Sequence, residues 1–157
     1  GNLLGAMLIA GLEHLTGMVG GETGIDATAA ALVEGKMGAT YLGLFVLGIL
    51  CNICIFIAVN GYANNPHQVG KYLALFLGVS VFILCGTEPS VADMYYLTAG
   101  LLTAAQTSAA AAGLTWGRAL LGNLLPVTLG NLVGGVFLVG VSGWYLYLKQ
   151  GKTTVIS

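Results

Sequence analysis

Between Met37 and Gln68 the chain carries no charged side chain, and the same holds for Tyr72 to Thr87, Met94 to Gly117 and Ala119 to Leu148. The hydrocarbon core of a bilayer takes about 20 apolar residues as helix, so most of these runs can cross it. A soluble globule is excluded by what is left to cover it. Of 157 residues, 57% are hydrophobic and 7% charged, and the mean hydropathy is +0.89, a composition built to face lipid. The net charge of −1 provides no basic stripe, which argues against nucleic acid as a partner.

The punctuation between the runs divides a single transmembrane domain, residues 1–157, into segments. Residues 1–15 are too short to span alone and read as the outgoing end of a helix. Residue 1 is Gly, and Gly1-Asn2-Leu3-Leu4 lacks the charged flank of a signal peptide, so a truncated start is expected. Gly17 to Gly35, with Glu22, Asp26 and Glu34, reads as a loop with a short surface helix. A span at 37–60 is closed by Asn60-Gly61 and Asn64-Asn65-Pro66, a strong turn cluster. Lys71 opens a span at 71–105 that meets Thr87-Glu88-Pro89 before the bilayer is crossed. An Ala/Ser/Thr loop then leads to the last span, 124–148. Lys71, Lys149 and Lys152 against Lys36 and Arg118 favour a cytoplasmic C-terminus, and Trp144, Tyr145 and Tyr147 beside Lys149 form an interfacial aromatic cluster.

The chain also repeats itself. Gly1-Asn2-Leu3-Leu4-Gly5-Ala6, continuing to Gly11, aligns with Gly130-Asn131-Leu132-Val133-Gly134-Gly135, continuing to Gly140. Three crossings separate the copies, so they point oppositely through the membrane, as in an inverted repeat. Gly48, Gly130, Gly134 and Gly135 permit the close helix approach by which spans pack in lipid. Cys51, Cys54 and Cys85 sit in apolar runs and read as structural thiols.

Chemistry concentrates at the interrupted span. Glu88 and Asp93 fall at membrane depth, where an ionisable group is by default a functional-site hypothesis. Pro89 lacks an N–H and pushes Glu88 out of the α region, so the span breaks into two half-helices. Such a break is tolerated only in protein or beside a cavity. The half-helix starting near Pro89 turns its free amides and positive dipole end to that cavity, an anion site. The bland alternative is a kink with Glu88 bonded to the freed amides. Lys36 is expected at the mouth of the 37–60 span, either as a cation focusing anions or as an ordinary helix-end lysine. Asn52, mid-span, is interhelical glue or a pore donor. Asp93 shares a helix face with Pro89. It is a structural carboxylate bonded to amides or Tyr hydroxyls or, if neutral, an O–H donor to a passing anion.

These residues resemble the formate/nitrite transporter family. Lys36 precedes Gly48-Ile49-Leu50-Cys51-Asn52 as a lysine precedes that family's Gly-Ile-Leu-x-Asn motif. Phe82 and Gly86 through Met94 are similar to its Gly-Phe-Glu-His-Ser-x-Ala-Asn-Met segment, and Asn123-Leu124-Leu125-Pro126 through Gly135 is similar to its last-span signature. The resemblance implies an all-α membrane protein with an aquaporin-like inverted-repeat helical bundle and a broken pore helix. It makes residues 1–15 the end of the third span, 37–60 the fourth, 71–105 the broken fifth and 124–148 the sixth. It further implies a multi-pass protein of a bacterial or archaeal cytoplasmic membrane, a homopentamer with a pore in each subunit, and formate, nitrite or a similar small monovalent anion as cargo, with no cofactor. Phe82 then matches a pore constriction, Asn52 a pore amide, Lys36 a vestibule cation and Glu88 the acid of the broken-helix loop. Ser90 and Asn131 complete the expected path. Two departures stand out: Pro89 replaces the family's pore histidine, and Asp93 replaces an Asn. His14 and His67 lie in or next to loops and are expected at the surface. A rival reading is a non-transporting assembly or sensor subunit that has lost the pore histidine. An intramembrane enzyme lacks support, since no base stands beside a serine and no residues cluster at metal-ligand spacing.

Overall fold

The structure is a computed structural model and describes residues 1–17, 24–104, 113 and 115–148. Glu22, the Ala/Ser/Thr loop and the orientation markers Lys149 and Lys152 lie outside the described residues, as does the Tyr147 side chain. Among the described residues every regular element is a helix: α1 (Asn2–Leu15), α2 (Gly24–Gly38), α3 (Tyr41–Asn64), α4 (Gln68–Leu84) and α5 (Ser90–Ala104), followed by a long last helix. This last helix, α6, runs through residues 118–148 as four consecutive stretches, Arg118–Leu124, Leu125–Leu132, Val133–Val141 and Ser142–Leu148. The first and third stretches have wide π-type turns. The first widening has a cause in the sequence. Pro126 cannot donate, and its ring crowds the carbonyl four residues back, so the ladder ahead of it shifts register and the Leu125 N–H reaches Leu120.

α3 is 24 residues long and, at a rise of about 1.5 Å per residue, covers about 36 Å, enough for the hydrocarbon core. It begins at Tyr41 rather than at residue 37 because the Thr40 hydroxyl accepts the Gly43 N–H at 3.1 Å, an N-cap that separates α3 from α2. Only 22% of the most apolar window of α3 is buried, and 28% of that of α6. A soluble protein's core helix would be mostly covered, so these faces are open to lipid or to other protein. The α3–α4 turn falls at Asn65-Pro66, where the Asn65 side chain accepts the His67 N–H at 2.9 Å. That turn starts α4 at Gln68, ahead of the expected Lys71, and Lys71 instead lays its ammonium 5.5 Å from the centre of the Tyr62 ring.

α3 packs on α6 backbone to backbone. A Cβ on Gly48 would stand 2.7 Å from the Val127 carbonyl, one on Gly134 would stand 2.7 Å from the Ile49 carbonyl, and one on Gly130 would collide with the Phe45 carbonyl. Close approach substitutes for the hydrophobic drive that lipid removes. α4 lies on the other side of α3, with Gly78 against Ala58. α2 departs from the expected surface helix. Its Val33 is buried against Gly100 of α5, in a small core with Leu97, Ala119 and Leu124 that Met37, Met94 and Leu101 surround. By packing there, α2 carries Lys36 toward α5.

Candidate functional site at the broken helix

The break occupies residues 85–89. α4 ends at Leu84, and Gly86 turns the chain with φ 62, a left-handed value that glycine adopts without steric cost. The Phe82 carbonyl, orphaned at the helix end, accepts both the Thr87 N–H at 3.2 Å and the Thr87 hydroxyl at 3.0 Å. Pro89 takes the position before α5, where its missing N–H costs nothing, and its carbonyl accepts the Asp93 N–H at 3.0 Å.

Asn131 of α6 clamps this loop. Its amide donates at 2.9 Å to the Glu88 carbonyl and at 2.9 Å to the Gly48 carbonyl, while its side-chain oxygen accepts the Ser90 N–H at 2.9 Å. Asn52 of α3 donates in turn to the Asn131 backbone carbonyl. One residue of α6 thus ties α3, the loop of the break and the start of α5. The anion site expected at the start of α5 is thereby narrowed, because the Ser90 amide is already engaged by a side chain.

Beside the clamp lies a charged cluster. The Lys36 ammonium contacts Glu88 and, at 2.7 Å, Asp93, with the Tyr96 ring 5.6 Å away. Asp93 is fully buried, and the Lys36 and Glu88 side chains are only 12% and 11% exposed. Two expectations change as a result. Lys36 is a counter-ion seated between two acids, not an unpaired cation at an open mouth. Glu88 and Asp93 turn to that lysine, not to freed amides or tyrosine hydroxyls: the Tyr95 hydroxyl donates to Glu13 instead. Asn123 is a contributor that the residue-by-residue reading passes over. It is fully buried in α6, and its amide donates to the Lys36 carbonyl at 3.2 Å. The signal was an amide inside an apolar run.

The remaining expected residues lie around this centre. Phe82 is part-exposed on the last turn of α4, Ser90 is buried at the start of α5 and Pro89 is part-buried between them. His67 is exposed, whereas His14, in the last turn of α1, is only partly so. Cys51 is buried in α3, and no disulfide joins it to Cys54 or Cys85. Among the described residues no three His, Cys, Asp or Glu side chains stand together as metal ligands.

A helix broken inside an apolar bundle, and pinned there by buried polar side chains, defines an all-α membrane protein of the inverted-repeat type with a broken pore helix. Comparison with known proteins gives the particular case. Residues 1–145 match the formate/nitrite transporter family, and the chain belongs to that family. It is 31% identical over 164 residues to the formate channel FocA of Escherichia coli (strain K12), covering 96% of this chain and 57% of that protein. It is 32% identical over 124 residues to the probable formate transporter of Methanothermobacter thermautotrophicus, covering 78% of this chain and 42% of that protein. Among solved structures, a pentameric formate channel with formate bound superposes with a TM-score of 0.79 at 30% identity, over 93% of this chain and 62% of that one. An FNT family ion channel gives 0.76 at 29% identity. The chain spans about half the length of the curated relatives that it matches.

Proposed function

We propose that the protein is a subunit of a membrane channel or secondary transporter for small monovalent anions, formate first and nitrite or related anions next. The observation that carries this reading is the broken helix at 85–89, held open by Asn131 beside the Lys36, Glu88 and Asp93 cluster, in a fold that superposes on a formate channel with formate bound. That neighbour is pentameric, and a homopentamer with one pore per subunit is the assembly proposed here. Residues 1–15, α3, the α4–α5 pair and α6 then take the places of the end of the third span and the fourth, fifth and sixth. The cell membrane is the proposed location.

In this reading Phe82 narrows the path with an apolar ring, Asn52 and Ser90 offer polar contacts along it, and Glu88, Pro89 and Asn131 shape its waist. Lys36 acts through its two acids. The relatives are channels and transporters, and no chemical conversion of the anion is proposed.

The test is uptake of radiolabelled formate by liposomes holding the full-length protein. Saturable uptake above that of protein-free liposomes is expected. If neither formate nor nitrite enters faster than in protein-free vesicles, transport is excluded and the assembly or sensor role becomes the working account.

A further inference from the structure

The cluster at the break does not balance its charge. Lys36 supplies one positive charge, whereas Glu88 and Asp93 both present carboxylates to its nitrogen. Because they share one contact atom, the two carboxyl groups are neighbours. Asp93 is 0% exposed, and its Oδ2 has no hydrogen-bond partner among the described residues. An unpaired charge in such a place is costly, and two carboxylates crowded together cannot both stay ionised without compensation.

Among the described residues, Lys36 is the one cation in contact with the two acids. Tyr96 of α5 turns its ring to Lys36, and α3 carries no Lys, Arg, Asp or Glu. α1 packs on α5 with Glu13, which Tyr95 bonds, and His14. α6 contributes Asn123, an amide, at the Lys36 carbonyl. A proton on the carboxyl pair restores neutrality and turns the orphaned oxygen into a donor.

We propose that Lys36, Glu88 and Asp93 together hold one exchangeable proton on the Asp93–Glu88 carboxyl pair, and that the proton-loaded, neutral cluster is the state in which an anion passes the break. The second half rests on the anion-transport reading above. The first half stands without it. The proton belongs to the pair rather than to either residue. Without it, the net-negative cluster repels an arriving anion. With it, Lys36 is released from one of its two counter-charges and can face the anion. Asp93 therefore supplies, four positions beyond Pro89, a proton site that this chain does not carry at residue 89.

Two measurements on the full-length protein in liposomes test the two halves separately. Infrared difference spectra between acid and neutral pH should contain the carbonyl stretch of a protonated, buried carboxylic acid. That band should shift in heavy water, disappear in Asp93→Asn and change in Glu88→Gln. A wild-type spectrum that Asp93→Asn leaves unchanged overturns the proton site. Formate flux, corrected for protein-free vesicles, should fall by about tenfold per pH unit on the alkaline side of the transition, the limit for a one-proton requirement. Asp93→Asn leaves one acid against one lysine and should lose that fall. Coincident pH profiles for wild type and variant overturn the gating half. A wild-type protein that shows the band but passes no formate refutes the transport reading and upholds the proton site. Circular dichroism and oligomer size of each variant establish that it is folded.

Discussion

Replacing Asn131 with alanine removes the side chain that pins the loop of the broken helix and the start of α5 to α3 and α6. Three hydrogen bonds disappear, to the Gly48 carbonyl, the Glu88 carbonyl and the Ser90 N–H, each of 2.9 Å. A typical intramolecular hydrogen bond contributes about 0.5–1.5 kcal/mol net, so the loss amounts to about 1.5–4.5 kcal/mol, with the upper part expected because the partners stay away from water. Asn52→Ala is the internal reference. It deletes one side-chain bond, to the Asn131 carbonyl, and should cost about 1 kcal/mol. Equilibrium unfolding of the full-length protein in detergent measures both. Hydrogen exchange should also reveal faster exchange at residues 85–93 in Asn131→Ala than in Asn52→Ala, because the clamp and not the interhelical contact fixes the loop. If Asn131→Ala costs no more than Asn52→Ala, or leaves exchange across the break unchanged, Asn131 is not the clamp.

Three further outcomes are expected. Gly130→Ala places a methyl group against the Phe45 carbonyl and should cost about 1–3 kcal/mol in detergent unfolding, whereas Gly122→Ala, with open space around its Cβ, should be neutral or stabilise by up to about 1 kcal/mol; equal effects would contradict α3–α6 packing through glycine. Because the Lys36 ammonium is largely shielded between two acids, the loss of formate flux in Lys36→Gln should be nearly independent of ionic strength, and a loss seen only at low salt would restore an open, screenable cation. Phe82→Ala should relax selection by size, read as a rise in lactate flux relative to formate, and an unchanged ratio would remove Phe82 from the constriction.

Several features of this protein were legible in the order of its residues alone. Charge-free runs long enough to cross a bilayer specify helices, because a lipid-facing backbone must satisfy its own hydrogen bonds. Pro89 lacks an N–H and disfavours helical backbone at Glu88, and Gly86 supplies the turn before it, so the break was visible without any neighbour in view. The spaced glycines foretold close packing for the same local reason: the missing Cβ belongs to the residue. Tertiary structure decided the partners. Nothing in the spacing of Lys36, Glu88 and Asp93 along the chain says that they meet, since α2 must first pack through Val33 on α5 before the lysine reaches the acids. Asn131 likewise was expected only as one residue along the path, and its three bonds arise because α3, α6 and the loop come within hydrogen-bond reach of one side chain. Local conformation is governed by short-range sterics and backbone hydrogen bonding, which the sequence carries position by position, whereas the charge balance of a buried cluster depends on which distant side chains share one small volume, and only the folded chain sets that.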